Sequence, residues 1–103
     1  MINDLDLRVG TIVEAREFSE ARKPAYQLRI DVGPLGQMTS SAQITSYALD
    51  ELPGKQVVVA VNLAAKRIAG FKSECLVIAA VDKDSVAHLL SPDPGSENGD
   101  QVA

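Results

Sequence analysis

The clearest pattern along the chain lies at positions 26–32, where Tyr26, Leu28, Ile30 and Val32 alternate with Gln27, Arg29 and Asp31. A period of two puts successive side chains on opposite faces, so this segment predicts a strand with one face in a core and the other in water. Positions 7–18 carry a weaker version of the same signal. Leu7, Val9, Thr11, Val13 and Ala15 fall on one face and Arg8, Glu14 and Arg16 on the other, with Gly10 and Ile12 interrupting the polar side. A glycine inside a strand marks a bulge or the bend at a barrel corner; Arg8 beside it points either to solvent or to a partner. Positions 37–45 predict a third strand of unusual composition, with Thr39, Ser40, Ser41 and Gln43 supplying hydroxyls and an amide. Such a surface either hydrogen-bonds a ligand or is simply solvated.

Positions 57–61 and 75–81 are apolar on both faces. One face of each strand can fill a barrel, and the other needs a cover, either a terminal segment or a second copy of the chain, so a homodimer is expected. Residues 47–52 are helix formers with Thr45 or Ser46 as the cap and Pro53-Gly54 as the stop. Turns are expected at 19–24, 33–36 and 82–85, a further short strand at 86–90, and little regular structure in the Pro-, Gly-, Asp- and Asn-rich segment 91–103. The elements predict an all-β fold. It is a five-stranded antiparallel OB-type barrel with a short helix between strands three and four and extra terminal segments.

Composition sharpens this picture in three ways. Hydrophobic residues make up 46% of the 103 positions and aromatics only 4%, so the core of what reads as one domain is aliphatic. No apolar run approaches the roughly 20 residues of a membrane span, so no membrane insertion is expected. The acidic opening segment 1–6 lacks the basic start and apolar stretch of a signal peptide, and a single cysteine suits a reducing compartment; a cytoplasmic location is expected. The net charge of −4 argues against nucleic acid until its distribution is considered. Residues 82–103 hold Asp82, Asp84, Asp93, Glu97 and Asp100 against Lys83 alone, which leaves 1–81 neutral. Six of the bases there cluster as Arg22, Lys23 and Arg29 and as Lys66, Arg67 and Lys72. Local cationic patches on a neutral body imply modest affinity for RNA.

The second cluster sits in the segment 62–76, where a short, charged, glycine-bearing connection is held between two rigid strands. Gly70 can take positive φ and so allows a sharp reversal beside Phe71. Asn62 and Ser73 offer side-chain donors and acceptors to a ligand and to the loop's own backbone. Lys66, Arg67 and Lys72 are the candidate phosphate contacts, and Phe71 either stacks a base or packs the loop onto the barrel.

The order Asn62-Leu63, two residues, Lys66-Arg67-Ile68, one residue, Gly70, two residues, Ser73, two residues, Leu76 resembles the signature loop of tRNA-binding OB domains. Such domains occur at the end of methionyl-tRNA synthetases and as free-standing proteins. With Asp6-Leu-Arg-Val-Gly-Thr-Ile12, Ala21-Arg-Lys-Pro-Ala-Tyr26, Ser40-Ser-Ala-Gln-Ile44 and Ala69-Gly-Phe-Lys-Ser-Glu74, the chain is similar to the CsaA type of dimeric secretion chaperone in that superfamily. The resemblance implies RNA contacts at Asn62, Lys66, Arg67, Gly70, Phe71, Lys72 and Ser73. Additional RNA or peptide contacts are implied at Arg8, Arg22, Lys23, Ser40, Ser41 and Gln43. Relatives usually carry Lys, Pro, Met and Arg where this chain has Ala64, Ala65, Ile68 and Ala69, so two family cations are missing.

No catalytic constellation is visible. Cys75 and His88 each lie among aliphatic residues and neither has a partner at triad or zinc spacing, so no metal, no cofactor and no enzymatic turnover are expected. Two readings follow. One is a non-catalytic module whose partner is tRNA, acting as well as, or instead of, an export-related chaperone. The other is a purely peptide-binding chaperone in protein secretion with negligible RNA affinity, holding unfolded or export-bound polypeptides.

Overall fold

Strand β1 (Leu7–Glu17) is the axis of the structure, a computed structural model that describes residues 4–103. Part of the acidic opening segment, residues 1–3, lies outside the described residues. Along 11–17, β1 pairs antiparallel with β2 (Tyr26–Asp31), and along 7–11 with β4 (Gln56–Ala60). One strand serves both neighbours because β2 lies along one of its edges and β4 along the other, with Thr11 paired to each. Gly10 sits where there is no room for a side chain: a Cβ there would stand 2.7 Å from Ile30 Cγ2 and 3.2 Å from the Asp31 carbonyl oxygen.

The register on β2 passes from Ile12 opposite Ile30 to Glu14 opposite Arg29, which leaves Val13 as an extra residue in a β-bulge. An inserted residue reverses the alternation beyond it. The simple face of Leu7, Val9, Thr11, Val13 and Ala15 therefore does not hold: Val13 is exposed, whereas Ile12 is fully buried.

Strand β3 (Gln37–Ala42) pairs with β2 over its whole length, and β7 (Leu76–Val77) pairs with β4, giving the order β3-β2-β1-β4-β7. The ring closes between β3 and residues 73–75. Glu74 and Cys75 N–H both donate to the Thr39 carbonyl (2.8 and 3.2 Å), and Ser41 N–H donates to Ser73 Oγ (3.0 Å). The result is a nearly closed five-stranded antiparallel barrel, the OB arrangement.

The short helix expected at 47–52 is a single 3₁₀ turn, Leu49–Glu51. Its cap is Ala48, not Thr45 or Ser46, with the Ala48 N–H donating to Glu51 Oε1 at 2.8 Å. Six residues ahead of Pro53-Gly54 are too few to offset helix nucleation, and burial of Leu52 in the barrel decides the conformation instead. The strand expected over 75–81 splits in two. β7 belongs to the barrel, while β8 (Ala79–Val81) leaves it to pair with β9 (Ala87–Leu89).

Two apolar clusters result. Ile12, Leu28, Ile30, Val57 and Val59 fill the barrel, and Leu7, Val58 and Ala60 form a second layer outside it, covered by Leu5, Ile78 and Val102. Leu5 and Val102 bring both terminal segments onto this outer face of β4. Segment 91–103 is also more ordered than its composition suggests, since β10 (Gln101–Val102) pairs with Leu7 and Arg8.

Barrel closure depends on Glu74, whose Oε1 accepts from the Thr39 N–H (3.0 Å) and lies 2.9 Å from its hydroxyl. These bonds, from the Thr39 backbone first, hold the Glu74 carboxyl below its ordinary pKa. A lowered folded pKa means stability that is present above the unfolded value and lost as pH falls through the folded one. Thermal unfolding between pH 7 and 3 should therefore show a steeper acid-side loss below about pH 4 in the native chain than in Glu74→Gln. Parallel curves would remove Glu74 from the closure.

Candidate nucleic-acid interface

The connection between the fourth and fifth barrel strands is a hairpin of β5 (Lys66–Ile68) and β6 (Phe71–Ser73), in which Lys66 faces Ser73, Arg67 faces Lys72 and Ile68 faces Phe71. Its two-residue turn has positive φ at both Ala69 (48°) and Gly70 (83°). Such a turn matches the twist of a hairpin. Gly70 adopts it freely, but Ala69 carries a Cβ penalty of about 1 kcal/mol. Ala69→Gly should accordingly raise stability by up to about 1 kcal/mol in a denaturant titration, and a loss would show that the turn differs.

Alternation along the hairpin sorts its side chains. Ile68 and Phe71 share one face, and the Phe71 ring meets Phe18 edge-on, with centroids 5.5 Å apart at 62°. Packing onto the barrel is therefore one job of Phe71. Arg67 and Lys72 share the opposite face, directly across from each other and exposed. Like charges at paired positions repel, and an anion between them relieves the repulsion. Lys66 is exposed on the first face, beside a cleft of about 120 Å³ lined by Leu63, Ala64, Glu74 and Leu76. Among the described residues none of these three cations is in an ion pair.

Arg22 and Lys23, exposed in the 18–25 loop, join this region. A groove of about 320 Å³ is lined by both of them together with Ser41, Gln43 and Ile68. Other residues singled out in the sequence are occupied elsewhere. Asn62 accepts from the Asp6 N–H (2.8 Å) and donates to the Asp4 carbonyl (2.7 Å), tying down the opening segment rather than its own loop. Ser73 accepts from Ser41 N–H and donates to the Cys75 carbonyl (3.4 Å). Ser40 is fully buried. Arg8 holds Asp6 at 2.7 Å and donates to the Gly99 carbonyl at 3.1 Å, so it clamps the two terminal segments together away from the hairpin.

What the sequence reading missed is the surface between these parts. The pairing aligns Glu14, Arg29 and Thr39 in one row across β1, β2 and β3, and Arg16, Gln27 and Ser41 in the next. Glu14, Arg16, Gln27, Arg29 and Thr39, with Phe71, line a cleft of about 190 Å³. The alternation of β2 was the available signal, but it identified Gln27 and Arg29 only as outward, not as neighbours of the hairpin. Glu14 accepts from Arg16 Nη2 (2.9 Å) and Nε (3.1 Å) and stands 3.2 Å from Arg29 Nη2. The Arg16 bond, then the charges of Arg16 and Arg29, hold the Glu14 carboxyl below its usual range.

The remaining titratable candidates have structural surroundings. Burial pushes the Cys75 thiol up to about 12, which leaves it protonated at neutral pH. His88 is not enclosed by aliphatic residues as its neighbours in sequence suggested: it is exposed and sits 2.8 Å from Asp82 Oδ2. Asp82 also accepts from the N–H groups of Asp84 and Val86, so this pair locks the β8–β9 turn. Among the described residues no group of three or more His, Cys, Asp or Glu could hold a metal ion, and no helix is long and apolar enough to cross a membrane. A second, larger groove of about 580 Å³ is lined by Ile44, Leu76, Ile78, Val81 and Ala87 together with the polar Lys23, Ser41, Gln43 and Ser85. Leu76 and Val81 are 49% and 67% exposed there.

Residues 7–101 match the family described as putative tRNA binding domain. The methionine–tRNA ligase of Porphyromonas gingivalis is 36% identical over 98 residues, which cover 95% of this chain and 14% of that protein. The same ligase of Archaeoglobus fulgidus is 35% identical, with 95% and 15% covered. The chain thus spans about one seventh of the length of these curated relatives. Among solved structures, the CsaA chaperone protein of Picrophilus torridus superposes with a TM-score of 0.92 at 48% identity, covering 97% of this chain and 92% of that one. The chaperone CsaA of Bacillus anthracis gives 0.90 at 49%, covering 96% and 91%.

Proposed function

The chain belongs to the family of putative tRNA binding domains, and from that premise we propose that it binds tRNA without catalysing a reaction. The observation that carries this reading is the meeting of Arg22, Lys23, Ser41 and Gln43 with the hairpin in one groove, beside the like-charged pair Arg67 and Lys72. Phosphates neutralise Arg67, Lys72, Lys66, Arg22 and Lys23, while the narrow outward rows of β1 to β3 receive sugar or base. Few groups here read base edges, so recognition runs through shape and backbone. Gly70, Phe71 and Ser73 set the shape of the loop, Asn62 anchors the opening segment beside it, and Arg8 and Ser40 contribute through the barrel.

A second activity is favoured by a separate observation. The groove where Leu76 and Val81 stand exposed beside Ile78 suits an extended, unfolded polypeptide, and the two similar structures at 48% and 49% identity are described as chaperones. The same exposed apolar side chains support a homodimer. Both activities suit a cytoplasmic protein. Salt separates them: tRNA affinity carried by phosphate falls steeply between 50 and 200 mM salt, on the order of tenfold per two to three phosphates, whereas apolar peptide binding does not. A tRNA affinity indifferent to salt would overturn the phosphate reading.

A further inference from the structure

On the outward face of β1 and β2, two guanidinium groups converge on one carboxylate. Arg16 grips Glu14 Oε2 through Nη2 and Nε, and Arg29 approaches Oε1 at 3.2 Å. A second nitrogen of Arg29, Nη1, donates to Gln37 Oε1 at 2.9 Å, which fixes the direction of that side chain. Guanidinium forks match the oxygens of a carboxylate and of a phosphate equally well. Ion pairs as exposed as these add little to stability. Side-chain exposures of 70% for Arg16, 44% for Arg29 and 38% for Glu14 leave the cluster open to a ligand, in the cleft that Phe71 and Thr39 complete beside the hairpin.

We propose that Arg16 and Arg29 form a clamp for one RNA phosphate and that Glu14 is its internal occupant, keeping the two guanidiniums convergent and lowering the clamp's affinity until phosphate displaces it. The proposal rests on the tRNA reading and extends it from the hairpin across the strand face. Glu14, already more than a third exposed, can turn into water as the phosphate enters. Regulation of affinity then resides in one acidic side chain, and the outcome of removing it is tighter binding.

The test uses the full chain, tRNA as the probe, and four variants. Glu14→Gln preserves the shape of the side chain and removes its charge, so tRNA binding should tighten about fivefold. Its log K against log salt should steepen by about 0.7 to 0.9, one phosphate's worth. Glu17→Gln removes the same charge at the end of the same strand without freeing a guanidinium, and should change affinity by less than about twofold. Arg16→Gln with Arg29→Gln should weaken binding, and adding Glu14→Gln to that pair should then bring no gain. Weaker binding by Glu14→Gln, a gain no larger than that of Glu17→Gln, or a gain that survives loss of both arginines would overturn the clamp. Absence of any tRNA binding by the native chain is a different result, which removes the RNA reading itself and the clamp with it.

Discussion

Cutting the chain after Leu90 lowers its melting temperature by about 15 °C or more. Segment 91–103 reads as a loose acidic tail, but it is built into the sheet. Val9 N–H donates to the Asp100 carbonyl (2.9 Å) and Gly99 N–H to the Val9 carbonyl (2.7 Å). Thr11 Oγ1 donates to Asn98 Oδ1 (2.7 Å), Gln56 Nε2 to the Ser96 carbonyl (2.8 Å), and Arg8 to the Gly99 carbonyl. Val102 packs on the layer of Leu7, Val58 and Ala60. Removing the segment strips these partners from β1 and uncovers the layer of Leu7, Val58 and Ala60, a loss on the order of 3 kcal/mol. At about 4 to 8 °C per kcal/mol for a chain of this size, the shift is easily seen in a thermal scan. A change of only a few degrees would show the segment to be a passenger. The same cut removes Asp93, Glu97 and Asp100. Affinity for tRNA therefore has to be compared well below the lowered melting temperature, with oligomeric state recorded, since the uncovered apolar layer invites self-association.

Replacing Lys66, Arg67 and Lys72 together by Ala reduces the slope of log K for tRNA against log salt by about 2 to 3 units, from roughly 0.7 per phosphate for single strands to 0.9 for duplex. The affinity itself falls by tenfold or more at about 100 mM salt. The fold is retained, because all three side chains are exposed and such substitutions move stability by no more than about 0.5 kcal/mol. Loss of the repulsion between Arg67 and Lys72 works in the same direction. Filter binding or fluorescence anisotropy across a salt series, with a melting curve for each protein, checks both statements. Unchanged affinity and slope in the triple variant would show that the hairpin is not the RNA site, and the peptide-chaperone reading would then take first place.

Local pattern alone determined the strand over 26–32, the closed turn at Gly70, the aliphatic core and the two separate runs of cations, Arg22, Lys23 and Arg29 in one and Lys66, Arg67 and Lys72 in the other. Each depends on side-chain period, on positive φ or on spacing, all of which are properties of neighbours in the chain. Only the tertiary structure decided the rest. The bulge at Val13 sets the inward face of β1 through pairing with a strand about 15 residues away. The segment at 47–52 gives up its helical preference because Leu52 is needed inside the barrel and Pro53 ends the run. Asn62 and Ser73, which look like ligand contacts beside a charged loop, spend their polar atoms on Asp4, Asp6 and Ser41. The row of Glu14, Arg29 and Thr39 exists only once three strands are in register. A side chain's partners lie across the sheet, at distances in sequence that no local pattern encodes, and those partners determine whether a polar group is free to meet a ligand.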